Sequence, residues 1–167
     1  MATPIDVLWR RYRRRGLLVD SNLLLTYFIG SFDLELLARF ERTRAFAADD
    51  FALLGRFIKS FSKRVTTPNV LTEVSNLSSK LPDVIKMAFF ATFASQIADY
   101  DERFTSSRKL VKSEAFPKFG LTDAGISETG LNEYLVLTDD FRLSNFLQRQ
   151  GQDVVNFNHL RQISWRL

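Results

Sequence analysis

Four short segments of this chain place a carboxylate where a strand-like run ends or a helix-like run begins. They read Leu17-Leu18-Val19-Asp20-Ser21-Asn22, Thr67-Pro68-Asn69-Val70-Leu71-Thr72-Glu73, Gly120-Leu121-Thr122-Asp123 and Leu135-Val136-Leu137-Thr138-Asp139-Asp140. The acids singled out are Asp20, Glu73, Asp123 and Asp140, with Asp139 a rival for the last place. Carboxylates gathered in one place repel one another and raise each other's pKa, and a divalent cation relieves that repulsion. Donor sets made only of oxygen suit hard ions, Mg²⁺ or Mn²⁺, rather than zinc. Such ions support in-line hydrolysis of phosphodiesters. Each acid also has a simpler reading. Asp20 and Asp123 could cap helices, Glu73 could face solvent, and Asp139-Asp140 could form a turn and a cap. The four together are more specific than any one of them.

Composition removes other chemistries. The chain has no cysteine and one histidine, His159. Thiolate metal sites, disulfides and histidine-based catalysis are therefore not expected, and the absence of cysteine suits a reducing cytoplasm. The longest uncharged stretches, Ser21–Phe32 and Met87–Ala98, hold 12 residues each. A membrane span needs about 20 apolar residues. No apolar signal-like run follows the basic start, so neither a membrane partner nor a secretory leader is expected.

The elements that must carry these acids alternate in kind. Gly16–Val19 reads as a buried strand and Ser21–Ile29 as a helix closed by Gly30. Asp33–Ala48 has helical spacing, and Asp49-Asp50 starts a further helix through Phe61. Arg64–Thr67 is a short strand ended by Pro68, and Asn69–Leu77 a helix containing Glu73. Pro82 opens another helix with the stripe Ile85, Phe89, Phe93, Ile97 and Tyr100, a core face. Phe104–Lys112 fits neither period, and Phe116–Gly120 reads as irregular. A helix begins at Leu121-Thr122-Asp123. Glu133–Leu137 is a strand, Phe141–Gln150 a helix with Gly151 after it, and Val154–Phe157 the last strand. Alternation of this kind predicts an α/β fold with a central, mostly parallel sheet. Strand-end acids then fall on one edge of that sheet, where such folds bind ligands.

At 167 residues one compact domain is expected, residues 16–167, preceded by a basic arm, residues 1–15. The arm holds Arg10, Arg11, Arg13, Arg14 and Arg15 against one acid, Asp6, and the whole chain carries +4. The body is therefore neutral in sum. With Trp9 and Tyr12 available for stacking, the five arginines are candidate substrate-binding residues for a polyanion. A solvated basic helix or a protein-docking arm fits the same residues.

In this order the four segments resemble the PIN-domain nucleases, most closely the VapC-type toxins of toxin–antitoxin pairs. Val19-Asp20-Ser21-Asn22-Leu23 resembles the first-strand motif, with Asp20 the first metal ligand and Asn22 the small polar position after it. The segment around Glu73 resembles the second acidic motif and that around Asp123 the third. Thr138-Asp139-Asp140 resembles the T-x-D segment. The resemblance runs over residues 16–157 and is weak between Ser78 and Lys118. It implies a small α/β/α sandwich and a Mg²⁺- or Mn²⁺-dependent endoribonuclease in which a metal-activated water attacks phosphorus, leaving 5′-phosphate and 3′-hydroxyl ends. Asp20, Glu73, Asp123 and Asp140 would be the catalytic and metal-binding acids, with Asn22, Thr138 and Asp139 in support. It further implies RNA as substrate, a homodimer, and an antitoxin-type protein inhibitor. The chain departs from the family in its 15 preceding residues and in the length of Asp33–Arg64 and Ser78–Lys118. The alternative is a PIN-like binding or scaffold module without catalysis. A phosphatase of the haloacid dehalogenase type would need an Asp where Asn22 stands, and a receiver domain would need an acid at the end of Arg64–Thr67.

Overall fold

A computed structural model describes residues 2–131 and 133–163. Met1, Asn132 and residues 164–167 of the expected domains lie outside the described residues. Five parallel strands form the central sheet: β1 (Leu17–Val19), β2 (Arg64–Thr66), β3 (Asp101–Glu102), β4 (Leu135–Thr138) and β5 (Val154–Asn156), in the spatial order β3-β2-β1-β4-β5. The fold is α/β with helices flanking the sheet, as the alternation of elements predicts. β1 lies at the centre, paired to β2 on one side and β4 on the other. All of Leu17, Leu18, Val19, Leu135, Val136 and Leu137 are fully buried. Continuous apolar runs are what a strand covered on both faces requires.

The helices are α1 (Pro4–Tyr12), α2 (Ser21–Phe32), α3 (Leu36–Arg39), α4 (Ala48–Lys59), α5 (Pro68–Ser78), α6 (Asp83–Ile97), α7 (Ser107–Leu110), α8 (Phe116–Phe119), α9 (Leu121–Gly130), α10 (Phe141–Arg149) and α11 (Phe157–Gln162). α2 is apolar almost all round and packs against α3, α4, α5 and α6. α9 contacts α5, α7, α8 and β4. The contact of α5 with α9 is the one that joins the second and third acidic segments.

Several expectations are corrected. Gly30 does not close α2, which runs on to Phe32. A Cβ on Gly30 would lie 2.4 Å from the Phe51 ring, so this glycine lets α4 approach α2 rather than ending a helix. Asp33–Ala48 is not one helix. After the single turn of α3 the chain becomes extended at Phe40, and the buried Thr43 hydroxyl donates to the carbonyls of Leu37 and Phe40. β3 escapes sequence reading because it is two charged residues long and lies at the sheet's edge. Gly120, at φ +87°, is the N-cap of α9, a backbone conformation that favours glycine.

Residues 1–15 carry a packed helix. Thr3 and Asp6 form a capping box at its start. Tyr12 is buried, its hydroxyl donating to Asp153 at 2.8 Å, and the Trp9 indole donates to Ser60 at 3.0 Å. The amide of Ser62 donates to the carbonyl of Arg13. Asp153 and Lys63 immediately precede β5 and β2, so the helix and its arginines sit at the amino edge of the sheet.

Candidate metal centre

The order β3-β2-β1-β4-β5 places a topological switch between β1 and β4. Chain connections leave β1 toward β2 on one side, and β4 continues to β5 on the other. At such a point the loops after the two strands part and leave a crevice at their carboxyl ends. Asp20 follows β1 directly, and Asp139 and Asp140 follow β4. The Asp20 amide extends the ladder by donating to the Leu137 carbonyl at 2.9 Å, which fixes the two strand ends against each other.

A cavity of about 370 Å³ opens here, lined by Asp20, Asn22, Glu73, Asp123, Asp139 and Asp140. All four acids singled out in the sequence thus border one space, together with Asp139 and Asn22. Thr138 stands behind them. Its buried hydroxyl donates to the Asp20 carboxylate at 2.5 Å and accepts from the Asp140 amide at 3.1 Å. One hydroxyl therefore orients acids from two strands. Asn22 donates to the Asp139 carboxylate at 2.8 Å.

The simpler readings divide. Asp20 occupies the N-cap position of α2, yet its side chain makes no capping bond. Asp123 lies inside the first turn of α9, three residues past the Gly120 cap, and does not cap it either. Asp140 does cap α10, one carboxylate oxygen accepting from the amides of Arg142 and Leu143. Glu73 is exposed on the second turn of α5.

Burial and like charge raise the acids' proton affinity. Burial pushes Asp20 up to about 6, helped by Asp139 and Glu73 and opposed by the Thr138 hydroxyl. Asp123 is pushed up to about 7 by burial and then by Asp20, Glu73 and Asp140. Asp139 is raised by burial and by Asp140, against the hydrogen bond from Asn22. Among the described residues, neither Asp20 nor Asp123 forms an ion pair with a lysine or arginine. Charge of this kind is relieved by protons or by a cation.

The donors are all oxygen, which fits Mg²⁺ or Mn²⁺ in kind. They line the cavity rather than converge on one point: among the described residues no three His, Cys, Asp or Glu side chains already form a metal-holding group.

The five arginines of the first 15 residues are not brought to this cavity. The strands separating the two edges are three or four residues long for β1, β2, β4 and β5, about 10 Å at the usual rise. Arg11 is paired with Asp153 at 2.7 Å, Arg13 lies over the Trp9 ring and Arg15 over the Tyr12 ring.

Two features escaped sequence reading. Asn156 ends β5 in register with Thr138, and its neighbour Asn158 donates to the Asp139 carbonyl at 3.0 Å. The signal was present, since Val154-Val155-Asn156 is a third apolar run ending in a polar residue. The second is a basic strip in residues 103–118: Arg103, Arg108, Lys109, Lys112 and Lys118 against one acid, Glu114. Summing charge over the whole body hid it. No family model matches the chain, and no curated protein does. Among the described residues no helix is long and apolar enough to cross a membrane.

Proposed function

We propose that this chain is a Mg²⁺- or Mn²⁺-dependent endoribonuclease of PIN-like architecture. The observation that carries this reading is the sharing of one cavity, at the switch point of a parallel sheet, by Asp20, Glu73, Asp123, Asp139 and Asp140. Asp20, Asp123 and Asp140, with Glu73, would hold the ion. When bound there, a divalent cation supplies Lewis-acid activation of water and charge neutralisation at phosphorus.

The chain's own groups do the rest. Thr138 keeps the Asp20 carboxylate aimed from β1 and ties it to the Asp140 backbone. Asn22 holds Asp139, leaving Asp140 free to offer the oxygen that does not cap α10. Glu73, exposed on α5, faces the open side where a strand of RNA enters. Burial of Asp20 excludes water from its inner side, which strengthens its interaction with any cation.

The reading extends to a toxin-like cytoplasmic role, a homodimer and control by an antitoxin-type protein inhibitor. These rest on the resemblance of the four acidic segments. The deciding experiment is incubation with total RNA and Mn²⁺ followed by mapping of the ends. New 5′-phosphate and 3′-hydroxyl termini, lost with Asp20→Asn, are expected. Intact RNA would defeat the reading.

A second reading, a binding module without catalysis, is favoured by one observation: the acids do not already form a metal-holding group among the described residues. It predicts RNA or protein binding that is indifferent to Mn²⁺ and to Asp20→Asn.

A further inference from the structure

A second cavity, of about 450 Å³, adjoins the acidic one and shares Glu73 with it. Three elements build it. α5 contributes Asn69, Thr72 and Asn76, which recur with Glu73 at helical spacing on one face. The segment after β3 contributes Phe104, and the start of α9 contributes Leu121. All three enter at the carboxyl edge of the sheet, since Asn69 and Phe104 closely follow the ends of β2 and β3.

Phe104 is the anomaly. Most large aromatic side chains of this protein pack into the core, whereas Phe104 is 79 % exposed. Among the described residues it stacks on no other ring. β3 is too short to carry it under a helix, so its ring stands at the mouth of a cavity otherwise lined mostly by amides and hydroxyls. Leaving a Phe in water forgoes the burial that its ring would gain in the core.

We propose that this cavity binds an unpaired nucleobase next to the cleaved phosphodiester, with Phe104 as the stacking platform and Asn69 and Asn76 as specificity-determining residues at the base edge. The inference rests on the nuclease reading for its placement and deepens it by naming the residues of this chain that receive a base beside the cleaved bond. An aromatic face accepts any base, and each Asn offers both a donor and an acceptor to Watson–Crick edges. The flanking phosphates meet the exposed Arg108, Lys109 and Lys112, on or just after α7, whose Ser107 also lines the cavity. These cations lie on the acidic site's edge of the sheet, unlike the arginines of α1. A protein ligand would need a broad apolar patch, and this cavity has only Phe104 and Leu121 as large apolar walls.

The test is binding in EDTA with the full chain. The probes are a fluorescein-labelled single-stranded oligoribonucleotide, the same strand carrying abasic positions, and its duplex. Wild-type protein is expected to prefer the base-bearing single strand by on the order of tenfold over the other two. Phe104→Ala, at an exposed position that the core does not need, should erase that preference. Phe104→Trp should keep it and show quenching of the new indole. Arg108→Gln with Lys109→Gln should weaken both single strands alike and flatten the salt dependence by roughly 0.7 per lost phosphate contact. If Phe104→Ala keeps the base preference, or instead changes sedimentation while keeping it, the subsite is overturned, the latter in favour of a protein contact. The two readings fail separately. Base preference without Mn²⁺-dependent cleavage upholds the subsite and defeats the nuclease. Cleavage with an unchanged KM in Phe104→Ala upholds the nuclease and defeats the subsite.

Discussion

Replacing Asp20 by Asn should make the metal-free protein more stable at neutral pH, although it removes a side chain central to the proposed site. Asp20 is buried and its carboxyl is raised from 3.8 to about 6. Each unit is worth about 1.4 kcal/mol, so holding this carboxylate ionised in the fold costs about 3 kcal/mol at pH 7.5. Asn keeps the shape, and its carbonyl can still accept from Thr138. Imperfect replacement of the protonated acid lowers the expected gain to about 1–3 kcal/mol, or roughly 2–10 °C in Tm for a chain of this size. The direction with pH follows from the raised value. The folded state holds its proton more tightly than the unfolded one, so the stabilisation is complete below pH 3.8 and is lost as pH rises through about 6. At pH 4 the variant's advantage should vanish or reverse by up to about 2 kcal/mol, the cost of imperfect replacement, and above pH 7 it should be full. Thermal unfolding followed by circular dichroism in EDTA at pH 4, 6 and 7.5 measures it. Mn²⁺ at a hundred times its Kd would then add about 2.7 kcal/mol to the wild type and much less to Asp20→Asn. A variant less stable than wild type in EDTA at pH 7.5, or equal gains from Mn²⁺ in both proteins, would refute the reasoning.

Three further outcomes are expected. Asp140→Asn should abolish Mn²⁺-dependent cleavage while keeping the α10 cap, whereas Asp140→Ala should also lose about 1 kcal/mol in urea unfolding; the reverse ranking of Asp139→Asn and Asp140→Asn in cleavage would reassign the ligand. Gly30→Ala should destabilise the fold by about 1–3 kcal/mol, because its Cβ would meet the Phe51 ring at 2.4 Å, and denaturant titration reads that loss. With a short single-stranded RNA, Arg108→Gln with Lys109→Gln should raise KM more than Arg13→Gln with Arg14→Gln does, since the second pair sits at the amino edge of the sheet; steady-state kinetics at two salt concentrations decide between them.

The contrast between those two pairs of cations marks where sequence reading stopped. Charge counted along the chain located the basic excess in residues 1–15, and that count is correct. It could not know that Tyr12 and Trp9 would bury against the body and seat those arginines at the edge away from the acids. Nor could it see that α7, with the exposed Arg108 and Lys109, would follow β3 to the acidic edge, since β3 is a strand too short and too charged to leave a pattern.

Local signals were sufficient for the elements themselves. Leu17-Leu18-Val19 and Leu135-Val136-Leu137 are apolar runs too short for helices and continuous enough for strands buried on both faces, and each ends in a polar turn. A parallel sheet puts all such ends on one edge, so shared placement of Asp20 and Asp139-Asp140 followed from sequence and chain direction alone. Strand order did not. That β1 pairs with β4 across the switch point, that α5 meets α9 and so brings Glu73 to Asp123, and that Thr138 spans two strands are contacts between residues 50 to 118 positions apart. Periodicity reports only which face of an element is apolar. Which neighbour covers that face depends on the fit of whole surfaces such as Gly30 against Phe51, and that fit exists only once the chain is folded.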